Sequence, residues 1–228
     1  MVSRDYREGL WEGVPEGVEP RDLGLRRAFL LQGVRAAGTP DGPPERRSAR
    51  ARGATHPPRV LDVGCGEGQL TAELTRAGLT VVGVDVAEEP LRRARARYPT
   101  LDLRVVPVEG SWPLPDAGFD AVWAGETIEH VADTAGWLSE LRRVLRSGGT
   151  LLLSTPAHGR LAMLRLALSH SYFDAHFDPR ADHLRFYSSR TLMRLLEDFG
   201  FEDIEVRAAA GPPGARRLLL ASARRSRF

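Results

Sequence analysis

The sequence predicts an α/β fold in which helices cover both faces of a largely parallel sheet. An apolar strand at 59–63 runs into a glycine turn and then into a helical pattern at 67–77. Strand and helix patterns alternate from there to residue 155, which is typical of parallel sheets. Polar and glycine-rich loops follow the predicted strands, at the edge where such sheets bind ligands.

The pattern predicts five strands and four helices in this part of the chain and just beyond it. The predicted strands lie at 59–63, 79–84, 102–106, 119–124 and 149–155. The predicted helices lie at 67–77, 87–97, 133–146 and 188–199. Two further strand patterns follow, at 201–206 and 215–223.

Length and composition indicate one domain, with at most a small additional cap. The chain has 228 residues, of which 42% are hydrophobic, enough for a core of ordinary size. Its single cysteine, Cys65, excludes an internal disulfide framework. No apolar run reaches the ~20 residues of a membrane span, and the charged N-terminal segment lacks a signal-peptide core. We therefore expect a cytoplasmic protein.

The charge pattern gives little support for a nucleic-acid partner. All 32 basic residues are arginine, and the formal net charge is only +2. The arginine clusters at 46–52 and 224–227 lie in segments that carry no aromatic platform for bases. We expect a small-molecule substrate, no nucleic acid, and a monomer or homodimer.

The residues before the first strand divide into two parts. Apolar positions within 21–34 predict an amphipathic helix that packs on the core, inside an N-terminal segment at 1–35. Residues 36–58 are rich in Gly, Pro, Ala and Arg, which predicts a flexible basic linker. Residues 59–228 then form the main domain.

The glycine turn predicts a site for a nucleotide-like molecule. Gly64, Gly66 and Gly68 allow a sharp turn and a close approach of a ligand to the backbone. The helix that follows offers free N–H groups. The next strand ends in Asp85, about 20 residues past the first glycine, where a carboxylate binds ribose hydroxyls. Asp62 adds a second carboxylate, and these residues alone leave an NAD site or a turn without a ligand open.

The stretch V-L-D-V-G-C-G-E-G, followed by V-V-G-V-D, resembles motif I and its partner strand in class I S-adenosylmethionine-dependent methyltransferases. F-D-A-V at 119–122 and L-R-S-G-G-T at 145–150 are similar to further blocks of that family. The resemblance covers about residues 59–207. It implies a Rossmann-like sandwich with a seven-stranded sheet in the order 3-2-1-4-5-7-6, whose last two strands are antiparallel.

The resemblance also implies S-adenosyl-L-methionine as the cofactor and a set of residues that bind it. N-terminal helices often cover the cofactor cleft in this family, so residues 1–35 are a candidate lid, with Trp11 and Arg26 or Arg27 as lid residues. The alternative is that these residues only pack on the core or carry solvated charge. Cys65 is expected to be a small filler in the turn. The candidate cofactor-binding residues are Asp62, Gly64, Cys65, Gly66, Gly68, Asp85, Val86, Gly110, Ser111, Trp112 and Ala124.

An E-x-x-E-H block, formed by Glu126, Glu129 and His130, follows the fourth strand. Two carboxylates at i and i+3 and an adjacent imidazole are able to hold Mg²⁺ or another divalent ion. The pattern resembles the ubiquinone-biosynthesis O-methyltransferases, the UbiG/Coq3-like group of type 11 methyltransferases. It also resembles the Hen1-type small-RNA 2′-O-methyltransferases, in which a later loop supplies another histidine, so His183 is a candidate fourth metal ligand. The alternative is that Glu129 and His130 only cap and pack.

The segment 157–187 follows the fifth strand and is expected to arch over the cleft as a substrate cap. The stretch carries four of the six histidines together with several aromatic residues. His158, directly after S-T-P, is placed to face the substrate. The candidate catalytic residues are His130, Glu126 and His158.

The predicted function is methyl transfer from S-adenosylmethionine to a hydroxyl, less favourably an amine, of a small molecule. Either a histidine base or a bound metal would activate the hydroxyl. Two alternatives stay open: an RNA 2′-O-methyltransferase of Hen1 type, and a non-catalytic module that only binds the cofactor. Substrate identity lies beyond the sequence, because loops of this fold vary while the scaffold stays the same.

Overall fold

The computed structural model describes residues 4–38, 57–178, 181–212 and 215–227. Most of the predicted linker 36–58 lies outside these described residues. The fold is a seven-stranded sheet in the order β3-β2-β1-β4-β5-β7-β6, which confirms the predicted order. The strands are β1 Arg59–Val63, β2 Thr80–Asp85, β3 Asp102–Val105, β4 Phe119–Gly125, β5 Leu145–Pro156, β6 Phe201–Ala209 and β7 Leu218–Arg225.

The first five strands are parallel, and β7 pairs antiparallel with both β5 and β6. Eight helices are described: α1 Arg4–Glu12, α2 Leu23–Gly38, α3 Gln69–Arg76, α4 Glu88–Arg97, α5 Thr134–Val144, α6 Arg160–Ala167, α7 His170–His176 and α8 Ser189–Asp198. None of these described helices is long and apolar enough to cross a membrane.

The N-terminal helices occupy two different places. Helix α2 packs against β4 and β5 and buries Leu30 and Val34 in the core. Gly33 makes this close approach possible, because a Cβ at that position would lie 2.6 Å from a methyl of Leu152. Helix α1, by contrast, buries none of its residues and contacts α4.

The fifth strand begins earlier than predicted. Helix α5 ends at Val144 and not at residue 146, and Leu145 already pairs with Phe119 on β4. The register then shifts, so that Ala121 pairs with Thr150 and the S-G-G segment forms a bulge inside the strand. The predicted helix end at 146 and strand start at 149 were therefore wrong, because the fully buried Leu145 side chain holds the strand entry in the sheet.

Two helices, α6 and α7, lie between β5 and α8, where the sequence predicted a cap. A parallel bridge between Ala157 and Tyr187 joins the two ends of this segment. Tyr187 is buried, so the base of the segment is fixed to the core. Helix α6 itself buries none of its residues.

Candidate active site

The glycine turn after β1 has the backbone conformation that the sequence predicted. Gly64, Gly66 and Gly68 have φ angles of +70°, +53° and +72°, a region that strongly favours glycine. A Cβ at Gly64 would lie 2.5 Å from Oγ1 of Thr127, which leaves no room for a side chain. Helix α3 starts at Gln69 and not at Glu67, because the turn extends through Gly68.

The two predicted carboxylates have different positions relative to the turn. Asp85 accepts hydrogen bonds from the backbone N–H of Gly66 and of Ala87, both at 3.0 Å. Asp62 accepts a 2.6 Å bond from the Thr71 hydroxyl, and burial raises its pKa to about 6. Asp85 lines the open cleft and Asp62 does not. Asp62 therefore supports the turn from behind.

A cavity of about 290 Å³ lies at the carboxyl ends of β1, β2 and β4. Such a volume is at the lower end of small-molecule sites, about 300 Å³ and above. The predicted site residues that line it are Gly64, Asp85, Val86, Trp112, Glu126 and His130. The predicted residues that lie outside its lining are Asp62, Cys65, Gly66, Gly68, Gly110, Ser111, Ala124, Glu129, His158 and His183.

Helix α1 forms one wall of this cavity through Arg7, Leu10 and Trp11, with Val14 just beyond the helix. Trp11 lies over the turn, since a Cβ at Gly66 would meet its ring at 3.2 Å. Trp11 was predicted from the sequence as a lid residue, whereas Arg7, Leu10 and Val14 were not. Together with Trp11 they are spaced i, i+3, i+4 and i+7, which is the spacing of one helical face. This spacing is the sequence signal from which they could have been predicted.

Helix α1 is held in place by long-range polar contacts. The Glu8 carboxylate accepts hydrogen bonds from the N–H groups of Glu88 and Glu89, at 2.6 and 3.0 Å, at the start of α4. Arg93 donates to the carbonyl oxygen of Trp11 at 3.0 Å. Arg7 donates to the carbonyl oxygen of His130 across the cleft. The helix thus connects the glycine-turn side of the cleft with the loop after β4.

Arg26 is a buried guanidinium near the same end of the sheet. Only 7% of its surface is exposed, and its Nε has no hydrogen-bond partner among the described residues. It donates from Nη2 to the Arg21 carbonyl at 2.5 Å, and its charge acts on Asp62 and Glu126. Arg27, in contrast, is exposed and pairs with Glu73 at 2.8 Å. Of the two arginines named from the sequence, Arg26 is the one directed inward.

The loop after β4 carries the two carboxylates of the E-x-x-E-H block. Glu126 has a φ of +53° and accepts a 2.9 Å bond from the Ser154 hydroxyl. Glu129 lies in a single 3-10 turn and is 1% exposed. Its Oε2 accepts a 2.9 Å bond from Thr155, whereas its Oε1 has no partner among the described residues.

His130 lies beside this unpaired carboxylate oxygen. Its Nδ1 is 3.0 Å from the carbonyl oxygen and 3.2 Å from the carboxylate of Asp182. Both neighbours are acceptors, so we assign the proton to Nδ1, which leaves the lone pair on Nε2. That Nε2 atom lies 4.0 Å from Oε1 of Glu129, and the His183 ring packs edge-on at 4.8 Å. The Nε2 atom of His130 thus faces Glu129 and His183.

Two of the predicted residues do not join this cluster. The ligand atoms of Glu129, His130 and His183 lie within 4.8 Å of one another, and Glu126 is outside that group. His158 packs against His176 and Phe186, and its Nδ1 accepts a 3.3 Å bond from the N–H of Tyr187. The structure therefore brings His130 to the cleft and leaves His158 under the cap.

Comparison with known proteins identifies the domain. A family model described as "Methyltransferase domain" matches residues 26–206, which is most of the chain. The chain belongs to this family. Its sheet order and glycine turn are those of a class I S-adenosylmethionine-dependent methyltransferase domain.

Relatives of this methyltransferase domain agree with the assignment. A Mycolicibacterium smegmatis protein named "Probable S-adenosylmethionine-dependent methyltransferase" is 38% identical over 63% of this chain and 51% of its own length. The human mitochondrial ubiquinone biosynthesis O-methyltransferase is 35% identical over 62% of this chain and 41% of its own length. The chain thus spans about half the length of the curated relatives it matches.

A solved structure extends the likeness to almost the whole chain. Phosphoethanolamine N-methyltransferase 2 of Haemonchus contortus, in complex with S-adenosyl-L-methionine, superposes with a TM-score of 0.67. The match covers 98% of this chain and 57% of that one at 18% identity. At such identity the likeness supports the fold of the methyltransferase domain and not its acceptor.

The cluster in the methyltransferase domain has the donors of a divalent metal site. It combines one buried carboxylate with an unpaired oxygen and two imidazoles. Imidazole suits Zn²⁺ or Fe²⁺ and carboxylate suits Mn²⁺, whereas Mg²⁺ prefers oxygen ligands alone. The residues therefore fit a divalent transition metal better than the Mg²⁺ named from the sequence.

Burial shifts the pKa values of Glu129 and His130 toward the uncharged form of each group. It raises the pKa of Glu129 to about 8, and the charge of Glu126 adds to the rise. Burial lowers the pKa of His130, against the opposing charge of Asp182. Without a metal, burial therefore favours the uncharged forms of both groups, a protonated Glu129 and a neutral His130. A neutral imidazole with a free Nε2 is able to accept a proton.

Proposed function

We propose that this domain transfers the methyl group of S-adenosylmethionine to a hydroxyl of a small molecule, an amine being the less favoured acceptor. The observation that carries the proposal is that His130 lines the cleft while Asp182 holds its Nδ1, which leaves the lone pair on Nε2. A hydroxyl acceptor has to lose a proton, and a general base supplies that step. The human relative named as an O-methyltransferase supports oxygen as the acceptor atom.

The proposed cofactor site combines direct contacts with a supporting turn. Asp85 would accept from the ribose hydroxyls, and Val86 and Trp112 would enclose the adenine, since all three line the cleft. Arg26, whose Nε is free, would bind the carboxylate of the methionine end. The remaining candidates shape the backbone around the ligand: Asp62, Gly64, Cys65, Gly66, Gly68, Gly110, Ser111 and Ala124.

In the proposed reaction the acceptor oxygen attacks the methyl carbon in line with the sulfur. The carbon–sulfur bond breaks, its electron pair stays on sulfur, and S-adenosylhomocysteine leaves. The hydroxyl proton passes to Nε2 of His130, while Asp182 holds the ring through Nδ1. The protein contributes mainly by positioning the reactants and by excluding water, for which α1 forms one wall.

A divalent metal is compatible with this proposal. Glu129, His130 and His183 would hold it, and Glu126 would remain bonded to Ser154 outside the group. When bound, such a metal lowers the pKa of a coordinated hydroxyl. His130 would then be a ligand and not the base.

Titration calorimetry with S-adenosylhomocysteine, with NADH as the control, tests the cofactor assignment. We expect S-adenosylhomocysteine to bind and NADH not to bind. Failure of S-adenosylhomocysteine to bind would overturn the cofactor assignment. A second titration, with a catechol as a diol probe, is run once in Mn²⁺ and once in chelator. It tests whether a bound metal takes part in binding the acceptor. Diol binding that depends on Mn²⁺ supports metal assistance, whereas diol binding unchanged by chelator leaves His130 as the base.

The acceptor atom requires a separate assay. Labelled S-adenosylmethionine is incubated with phenols, catechols, amines and small RNA, and the methylated products are identified by mass spectrometry. Methyl ethers of the small hydroxyl compounds are the expected products. Transfer to RNA or to amines alone, or cofactor binding without transfer to any acceptor, would contradict the proposal.

A further inference from the structure

The cap formed by α6 and α7 exposes an unusual amount of apolar surface. Six of the ten exposed large apolar side chains in the described residues lie between positions 161 and 186: Leu161, Leu164, Leu168, Phe173, Phe177 and Phe186. Their exposed fractions run from 43% to 79%. Single exposed apolar side chains are ordinary, whereas a concentration of them marks a surface that contacts something else.

The three leucines form one stripe along α6. Leu161, Leu164 and Leu168 are spaced i, i+3 and i+7, so they project from one face of the helix. The opposite face, formed by Ala162, Met163 and Leu166, is half-buried. Helix α6 is thus apolar on both faces, and only the inner one is covered by the described part of the chain.

Two arginines border the leucine stripe. In a helical projection of about 100° per residue, Arg160 precedes the stripe by about 40° and Arg165 follows it by about 40°. Both side chains are exposed, and the helix R-L-A-M-L-R-L-A contains no acidic residue. Long arginine side chains at the edge of an apolar face place their charge beside a surface while the face itself is buried.

The aromatic residues continue this surface on α7 and on the segment that returns to the core. The rings of Phe173 and Phe177 lie 4.7 Å apart, and those of Phe177 and Phe186 lie 6.1 Å apart. Phe186 also packs against His158 and His176, at 5.0 and 5.1 Å. The three phenylalanines therefore extend the exposed apolar surface beyond α6.

The longest stretch outside the described residues has little apolar surface with which to cover the cap. The sequence 39–56, which lies outside the described residues, contains no Val, Ile, Leu, Met, Phe, Trp or Tyr. A second copy of the chain would bring the same arginines of α6 against each other, because a two-fold interface pairs identical patches. On α6 itself the apolar stripe is bordered only by arginine, whereas the exposed Asp174 lies on α7 beside Phe173. The stripe of α6 therefore complements a surface that is apolar inside and negative at its rim.

We propose that the cap surface, defined as Leu161, Leu164, Leu168, Phe173, Phe177 and Phe186 with Arg160 and Arg165, binds the interface of an anionic lipid bilayer. Helix α6 would lie in the plane of the interface with its leucines among the acyl chains and its arginines at the phosphates. The inference concerns binding alone and does not depend on the acceptor or on the methyl-transfer step.

Flotation of the full chain with lipid vesicles tests the proposal. Vesicles of phosphatidylcholine mixed with phosphatidylglycerol are expected to carry the protein upward more strongly than vesicles of phosphatidylcholine alone. The double variant L164E/L168E should reduce the partition coefficient by at least about tenfold, since it removes two apolar side chains that the bilayer would bury. The double variant R160Q/R165Q should reduce partition into anionic vesicles by about fivefold for each arginine.

Val18→Glu is the matched control, because Val18 is 53% exposed, like Leu164 at 56%, but lies outside the cap. It should bind vesicles as the wild type does. Leu168→Glu alone, at a position 79% exposed, provides a milder variant if the double variant unfolds. Absence of vesicle binding, or equal losses in V18E and L168E, would overturn the proposal. A dimer in sedimentation that L168E dissociates would overturn it as well, because a second copy would then cover the surface.

Discussion

Arg7 of α1 donates a hydrogen bond to the carbonyl oxygen of His130, on the opposite wall of the cleft. The two residues are far apart in sequence, yet both line the same cavity. The contact joins the helix that covers the cofactor side to the loop that carries the candidate base. Movement of α1 would therefore disturb the cofactor pocket and the position of His130 together.

The first prediction concerns the attachment of α1. Replacing Glu8 by alanine removes the acceptor of two N–H groups at the start of α4. Bonds to a charged acceptor contribute about 1.5–3 kcal/mol each, so we expect S-adenosylhomocysteine to bind at least about tenfold more weakly in calorimetry. Glu12→Ala, an exposed change on the same helix, is the matched control. Equal affinity in both variants would show that α1 does not act as a lid.

The second prediction concerns Arg26. If its guanidinium binds the carboxylate of the cofactor, Arg26→Gln should weaken S-adenosylhomocysteine binding by about tenfold to a hundredfold. Methylthioadenosine, which lacks that carboxylate, should bind the variant and the wild type equally well. Arg27→Gln is the control, because Arg27 is exposed and pairs with Glu73. Equal losses for both ligands in R26Q would mean that Arg26 only supports the fold.

The glycine turn and the sheet order were predictable because both follow from local patterns. The positive φ angles at Gly64, Gly66 and Gly68 are a property of the glycines themselves. Alternating strands and helices then restrict the topology to a few choices. The family resemblance selected one of these.

The arrangement around the cleft was less predictable, because it depends on contacts between distant residues. Asp182 orients His130 from 52 positions away, and Glu8 reaches Glu88 from 80 positions away. No spacing in the sequence encodes such pairs. Of the metal candidates named from the sequence, His183 does lie with Glu129 and His130, whereas Glu126, closer in sequence, bonds to Ser154.

The third prediction follows from the buried Glu129 carboxyl. Its pKa rises from an ordinary 4.5 to about 8, so between these values the folded state binds more protons than the unfolded state. Stability from this group is therefore present below about pH 4.5 and is lost as the pH rises to about 8. In chelator, the melting temperature of the wild type should fall over this range by at least about 2 °C more than that of E129Q.

The control for this measurement is Glu12→Gln, which removes an exposed carboxyl and should keep the wild-type pH dependence. Identical slopes for the wild type and E129Q would show that Glu129 is already ionised in the folded protein. Added Mn²⁺ should reduce the difference between the two proteins at high pH, because a metal binds the ionised carboxylate of the wild type.

The fourth prediction separates the two candidate bases. His130→Gln should lower kcat by about 10²–10⁴ while the affinity for S-adenosylhomocysteine stays within about twofold, since the change removes a proton acceptor and not a cofactor contact. His158→Gln should keep most of the activity, because its Nδ1 is bonded to the Tyr187 backbone and its ring packs under the cap. In the absence of metal, the wild-type rate should fall as the pH decreases through the lowered pKa of His130, where the imidazole becomes protonated. A full loss of activity in H158Q together with an active H130Q would assign the base to His158 and contradict the geometry of the cleft.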